Sequence, residues 1–232
     1  MVLKTRSWGK ANGSAVVCLH GLVQHGGIFA PLGERLASCG HRVLAVDLRG
    51  HGESGRQPPW NVDTHLDDLF ETLGANGVER ASWVGHSFGG RLVAEAAARC
   101  PERVERLVLL DPGLQVPLDR AMRGAEIDRL DWSFATVEGA LNALLSNESI
   151  VAAPREVVAD YVREDVHKGP DGRFRFSHSP AAAVVAWSEM AMPMSAIARV
   201  HTLAVLAEVP LYDSSVQIAR YEEELGDLLA VV

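Results

Sequence analysis

Ser87 is the side chain best placed to do covalent chemistry. It lies in Gly85-His86-Ser87-Phe88-Gly89-Gly90, directly after the apolar run 81–84. That run reads as a buried strand, and 91–99 reads as the helix after it, stopped by Pro101. A serine hydroxyl lifted clear of a sheet needs a very sharp strand-to-helix turn, with backbone close to its neighbours. Glycines at 85 and 89, two residues to either side, remove the Cβ atoms that would clash. The first N–H groups of the helix then face any anion formed beside the serine. This is the chemistry of a hydroxyl attacking an electrophilic carbon.

Two further motifs precede it. Leu19-His20-Gly21-Leu22 follows the apolar run 15–19, and a glycine after a strand lets the backbone curl so that the next N–H turns into the cleft. Asp47-Leu48-Arg49-Gly50-His51-Gly52-Glu53-Ser54 follows the run 43–46; its glycines and charges suit a tight, hydrogen-bonded loop with a structural role. His-Gly, then Asp-x-Arg-Gly-His-Gly-x-Ser, then Gly-His-Ser-x-Gly-Gly, in this order, resembles the α/β-hydrolase superfamily. The resemblance runs from about residue 5 to the end of the sequence.

The resemblance implies an α/β-hydrolase fold, a mostly parallel sheet flanked by helices and covered by a helical cap. It implies nucleophilic catalysis by Ser87, with the N–H groups of Leu22 and Phe88 as the oxyanion hole. A serine in the elbow argues against haloalkane dehalogenases and epoxide hydrolases, which use an aspartate there. The superfamily places the triad acid after the strand that follows the elbow helix, or after the next strand. Asp111, in Leu109-Leu110-Asp111-Pro112, takes the first position and is favoured. The second reads Ala207-Glu208-Val209-Pro210, which leaves Glu208 and Asp213 as alternatives.

The histidine is the departure from the family pattern. Superfamily members carry it in a loop after the last strand, and the expected strand 228–232 closes this sequence. The expectation is therefore that the chain lacks that loop. His20, His41, His51 and His201 fall at strand ends or structural turns, His167 and His178 in the insertion, and His86 is a packing residue. His25, in the loop after the oxyanion glycine, is a candidate substrate contact.

The elements needed to hold these groups are legible as alternating short apolar runs and amphipathic stretches, the mark of a parallel α/β sheet. Strands are expected at 15–19, 43–46, 81–84, 107–110, 202–206 and 228–232. Helices are expected at 29–38, from 62 to Gly74 or Gly77, at 91–99 and at 215–225. After Pro112 the rhythm changes to helix-like pieces at 119–131, 137–145, 154–166 and 181–192. The reading is a core of 1–113 and 199–232 with a helical cap of 114–198 over Ser87. Trp132, Phe134, Trp187, Met190 and Met192 are candidates for an apolar lining, Trp187 and Met190 foremost. Arg173 and Arg175, alternating with Phe174 and Phe176, read as a solvated strand face.

Composition narrows the functional classes. The 232 residues suit one elaborated domain, 47% hydrophobic and 22% charged, as in a globular enzyme. A net charge of −8 argues against nucleic acid as a partner. No apolar run is long enough for a membrane span, and the first residues lack the apolar core of a signal peptide, so a cytoplasmic protein is expected. Three cysteines without Cys-x-x-Cys spacing indicate neither a disulfide framework nor a metal site. The expected activity is a cofactor-independent serine hydrolase (esterase) acting on a small apolar ester, lactone or acyl substrate. Carbon–carbon bond hydrolysis, cofactor-free haloperoxidase chemistry and non-catalytic ligand binding are the alternatives. A homodimer is carried as an open partner state.

Overall fold

The computed structural model describes residues 1–146, 154–208 and 212–232; Val209 and Pro210 of the second acid position lie outside the described residues. The chain begins with β1 (Thr5–Trp8), β2 (Ala15–Leu19), α1 (Ala30–Ser38) and β3 (Arg42–Val46). It continues through α2 (Val62–Ala75), β4 (Ala81–His86), α3 (Phe88–Arg99) and β5 (Val104–Leu110). The insertion contributes α4 (Leu118–Asp128), β6 (Ser133–Phe134), α5 (Val137–Leu145), α6 (Arg155–Asp165), β7 (Val166–Lys168), β8 (Phe174–Phe176) and α7 (Pro180–Ala191). The core resumes with β9 (Thr202–Val205), α8 (Ser215–Leu225) and β10 (Leu229–Val231).

Among the described residues one sheet runs in the order β1-β3-β2-β4-β5-β9-β10. Only β1 is antiparallel to its neighbour. Its inner strands are continuously apolar because both faces are covered. Val17, Leu19, Leu44, Val46 and Trp83 pack under α2, α3 and α8. Val16, Cys18, Val43 and Ala45 on the opposite face pack with Phe29 and α1. The starts of α2 and α5 are fixed by side chains that satisfy otherwise orphaned amides. Asn61 Oδ1 accepts the Thr64 N–H at 3.1 Å ahead of α2, and Thr136 Oγ1 accepts the Gly139 N–H at 3.0 Å ahead of α5.

The cap departs from the all-helical expectation. It also holds a small antiparallel sheet, β6-β8-β7, in which Phe174 pairs with both Phe134 and Lys168. The Phe/Arg alternation at 173–176 is the middle strand of that sheet. Phe176 packs inward with Leu141, Val158 and Val162. The helix expected over 119–131 ends at Asp128, because the Trp132 indole N–H folds back onto the Ile127 carbonyl at 3.1 Å. A part-buried hydrogen bond ties the insertion to the core. Glu189 Oε2 of α7 accepts the Val62 N–H that opens α2, at 2.9 Å.

Candidate active site

Ser87 stands alone between β4 and α3 with φ 50° and ψ −114°. A non-glycine residue in that region is strained, and such strain is held only where the surroundings over-determine it. Here they do. The Ser87 N–H donates to the Leu110 carbonyl at 3.1 Å, and the Ser87 carbonyl accepts the Gly113 N–H at 2.9 Å and the Arg91 N–H at 3.2 Å. A Cβ on Gly85 would overlap the Gly89 carbonyl, and one on Gly89 would overlap the Leu19 carbonyl. The two glycines are therefore required by the closeness of the turn to its own helix and to β2.

The Gly21 turn passes directly over the serine. Gln24 Oε1 accepts the Gly21 N–H at 2.9 Å and lies 2.9 Å from His86 Nδ1, which donates to it. Burial, the larger effect, and then the nearby Asp111 carboxylate act oppositely on His86, and the net is a pKa below the ordinary histidine value. Among the described residues neither the Leu22 nor the Phe88 N–H has a protein acceptor. One amide is on the turn after β2, next to Gly21, and the other is at the first position of α3, next to Ser87.

His20 is structural. Its Nε2 accepts the Leu48 N–H at 3.0 Å, which fixes the other nitrogen as the donor to the Gly21 carbonyl at 2.7 Å. Asp47 ties the following loop together, accepting from Gly26 N–H at 2.7 Å, Glu53 N–H at 3.0 Å and Arg6 at 2.7 Å. The Arg49 guanidinium clasps Asp68 through two bonds, at 2.6 and 2.8 Å. The structural role expected for 47–54 matches this bonding.

Asp111 follows Leu110, whose register partner is His86, so Asp111 and Ser87 leave adjacent strand ends together. Its backbone has φ 39°, and its N–H donates to the Val205 carbonyl at 2.7 Å. Glu208 is exposed. Asp213 is exposed too; its Oδ1 accepts the Ser215 N–H at 2.9 Å, and the Ser215 hydroxyl and then this N–H hold its pKa below the ordinary carboxylate value. Of the three carboxylates only Asp111 departs from the strand next to the elbow. None of the nine histidines in the sequence makes a hydrogen bond to Ser87 Oγ among the described residues. No group of three His, Cys, Asp or Glu side chains among the described residues could hold a metal ion.

A cavity of about 320 Å³ lies between the turn after β2 and the insertion. Leu22, Gln24 and Ile28 form its floor, with Ile127, Val158 and Phe176 among its cap residues. Of the expected contacts Met190, Trp187 and His25, none is in its wall, and Ser87 is not in it either. Met190 is buried, with its sulfur against Gly113, where an added Cβ would meet it. Trp187 is not part of the cavity wall; it packs against Gly124 and its Nε1–H donates to Asp128 at 2.6 Å, which joins α7 to α4. His25 is not in the wall either. It is buried, its Nδ1 accepts the Gly27 N–H at 3.1 Å, and its ring stacks on Tyr161 at 5.6 Å. For Trp187 and His25 the cause is shared: a polar atom on each ring is committed to a partner within the fold.

Sequence reasoning passed over Gln24, His65, Arg91 and Tyr161. Each finds its role through contacts with distant parts of the chain, as with Tyr161 and Val23, 138 positions apart. His65 meets the Phe88 ring edge-on at 5.4 Å beneath the elbow. The helical spacing of α2 places it on the buried face, but nothing in the sequence says what it meets.

The sequence profile of the alpha/beta hydrolase fold family matches residues 14–157. Lipase LipV of Mycobacterium tuberculosis is 31% identical over 233 residues, a match that covers 97% of this chain and 86% of that protein. Esterase YbfF of Escherichia coli is 32% identical over 165 residues, covering 71% of this chain and 58% of that protein. Among solved structures, E-2-(acetamidomethylene)succinate hydrolase superposes with a TM-score of 0.85 at 22% identity, covering 99% of this chain and 86% of its own. An alpha/beta hydrolase from Novosphingobium aromaticivorans does so with a TM-score of 0.80 at 25% identity, covering 99% and 85%.

Proposed function

The chain belongs to the alpha/beta hydrolase fold family, and from that premise we propose that it is a serine hydrolase cleaving a carboxylic ester, lactone or related acyl bond through an acyl-enzyme on Ser87. The observation that carries the reading is the strained Ser87, at φ 50°, close to the Gly21 turn and at the start of α3, with the Leu22 and Phe88 amides lacking a protein acceptor among the described residues. Relatives named as a lipase and an esterase support the substrate class. The largely apolar cavity beside Leu22 supports an apolar acyl group.

In this reading Ser87 Oγ attacks the acyl carbon while its proton passes to an imidazole oriented by Asp111. The carbonyl electron pair moves onto oxygen, where the Leu22 and Phe88 N–H groups hold the charge. Collapse breaks the bond to the leaving alcohol, which takes the proton from the imidazolium. A water then repeats both steps on the Ser87 ester and releases the acid. Catalysis by this route needs a proton acceptor beyond the bonding seen for the nine histidines. The test is hydrolysis of p-nitrophenyl butyrate by the native protein and by Ser87→Ala. Turnover lost in the variant supports the reading, and unchanged turnover contradicts it.

A second reading is a ligand-binding protein of this fold without turnover. It is favoured by the lack of a histidine bonded to Ser87 Oγ among the described residues. Tight binding of a fatty acid, with no hydrolysis and no fluorophosphonate adduct, would establish it.

A further inference from the structure

Val23, the residue after the candidate oxyanion donor Leu22, has φ 51°. A β-branched side chain is a poor choice for the left-handed region, and the turn does not hold that shape from local preference. What holds it comes from the cap. The Tyr161 hydroxyl of α6 lies 2.6 Å from the Val23 carbonyl oxygen and 3.0 Å from Asp165 Oδ2, one helical turn further on.

Three oxygens meet there, and proton counting decides how they bond. Tyr161 has one hydroxyl proton and the carbonyl has none. If Asp165 were a carboxylate, the phenol could satisfy only one neighbour, and the other pair would face each other lone pair to lone pair. Both separations are hydrogen bonds only if Asp165 brings a proton of its own. Burial of Asp165 outweighs His25 and the hydrogen bonds from Tyr161 and Ser177, which favour its charged form. Among the described residues its Oδ1 has no hydrogen-bond partner, and it lies 4.0 Å from His25 Nε2. Since His25 Nδ1 accepts the Gly27 N–H, the neutral ring carries its proton on Nε2, too far from Asp165 for a bond. Burial pushes the Asp165 carboxyl above its ordinary pKa and the Tyr161 hydroxyl well above its own.

We propose that Tyr161 and Asp165 of the cap are a positioning pair for the oxyanion turn. A neutral Asp165 carboxyl donates to Tyr161, Tyr161 donates to the Val23 carbonyl, and the pinned turn keeps the Leu22 N–H facing the cavity. The pair makes the donor geometry depend on a docked cap. Its catalytic consequence rests on the serine-hydrolase reading, whereas its effect on the turn does not.

The test uses Tyr161→Phe, Asp165→Asn and Asp165→Leu, with two readouts. One is hydrogen–deuterium exchange of residues 20–27, followed by mass spectrometry. The other is kcat and KM on p-nitrophenyl butyrate. Tyr161→Phe keeps the ring in the cavity wall, so KM is expected to stay within about twofold. Exchange of 20–27 is expected to rise by about tenfold or more and kcat to fall by about 10–10²-fold, as displaced catalytic geometry does. Asp165→Asn can still donate to Tyr161 through its amide and is expected to keep both readouts near wild type. Asp165→Leu is expected to behave like Tyr161→Phe.

Unchanged exchange of 20–27 in Tyr161→Phe overturns the proposal. So does an Asp165→Asn variant as impaired as Asp165→Leu, which would mean that a carboxylate accepts from Tyr161. If the wild-type protein hydrolyses no ester, the functional reading fails by itself and the exchange readout still decides the positioning pair.

Discussion

Gly21 passes so close over Ser87 that a Cβ added to it would lie 3.0 Å from the Ser87 Cβ. The same Cβ would lie 2.9 Å from His86 Nδ1 and 3.0 Å from Gln24 Oε1. Those two atoms are bonded to each other, so neither can move away freely. Gly21→Ala is therefore expected to push the oxyanion turn off the serine and lower kcat by about 10–10²-fold. Steady-state kinetics with a thermal melt checks this; full activity at an unchanged melting temperature contradicts it.

Asp111 leaves the strand next to the elbow, while Asp213 is committed to the Ser215 amide and Glu208 is exposed. Asp111→Asn is expected to lose up to about 10⁴ in kcat by leaving the imidazole in the wrong tautomer. Asp213→Asn and Glu208→Gln are expected to stay within about twofold of the wild-type rate. A loss of that size in either of those two instead would move the acid to the loop after β9.

Arg91, one turn into the helix behind Ser87, holds both ends of the cap. Its guanidinium donates to the carbonyls of Leu114 at 2.6 Å, Met192 at 2.8 Å and Pro193 at 2.9 Å, and it pairs with buried Glu95 at 3.0 Å. Arg91→Met leaves three carbonyls without this donor and takes from buried Glu95 its closest cation, leaving Arg99 Nη2 at 3.8 Å. The expected loss is about 3–5 kcal/mol in urea unfolding, with faster proteolysis near Leu114 and Met192. A loss below about 1 kcal/mol would contradict the clamp.

His51 of the core loop and His178 of the cap are neighbours at 6.3 Å, and their backbones form a bridge. Burial lowers His51 to about 4, and His65 and His178 to about 3. Unfolded, these rings take up protons below about 6.5, so stability is expected to fall as pH drops from there. The loss levels off only below the folded values. Buried Asp128 and Asp165, raised by burial, act with the opposite sign between their unfolded and folded values, so a neutral Asp165 offsets part of this loss, and the three histidines together outweigh it. Urea midpoints at pH 7.5 and pH 5.5 check the effect; a midpoint no lower at pH 5.5 would contradict it.

The elbow was legible because its constraint is local: Gly85 and Gly89 answer to a turn only a few residues long. The parallel core was legible because burial on both faces leaves continuous apolar runs such as Ala15–Leu19. The cap sheet was not, since strands as short as Ser133–Phe134 and Val166–Lys168 are too brief to show a period. Nor was the role of Tyr161, which exists only once α6 meets the turn after β2. His25 and Trp187 were legible as residues near the site but not as residues turned away from the cavity, because that depends on Gly27 and Asp128.

The central claim is that Ser87 is a nucleophile. Its most direct test is treatment of the native protein with a fluorophosphonate, followed by peptide mass mapping. The expected result is a single adduct on Ser87, absent in Ser87→Ala and slowed in Gly21→Ala. A protein that folds and binds apolar acids yet carries no adduct on Ser87 would contradict the claim.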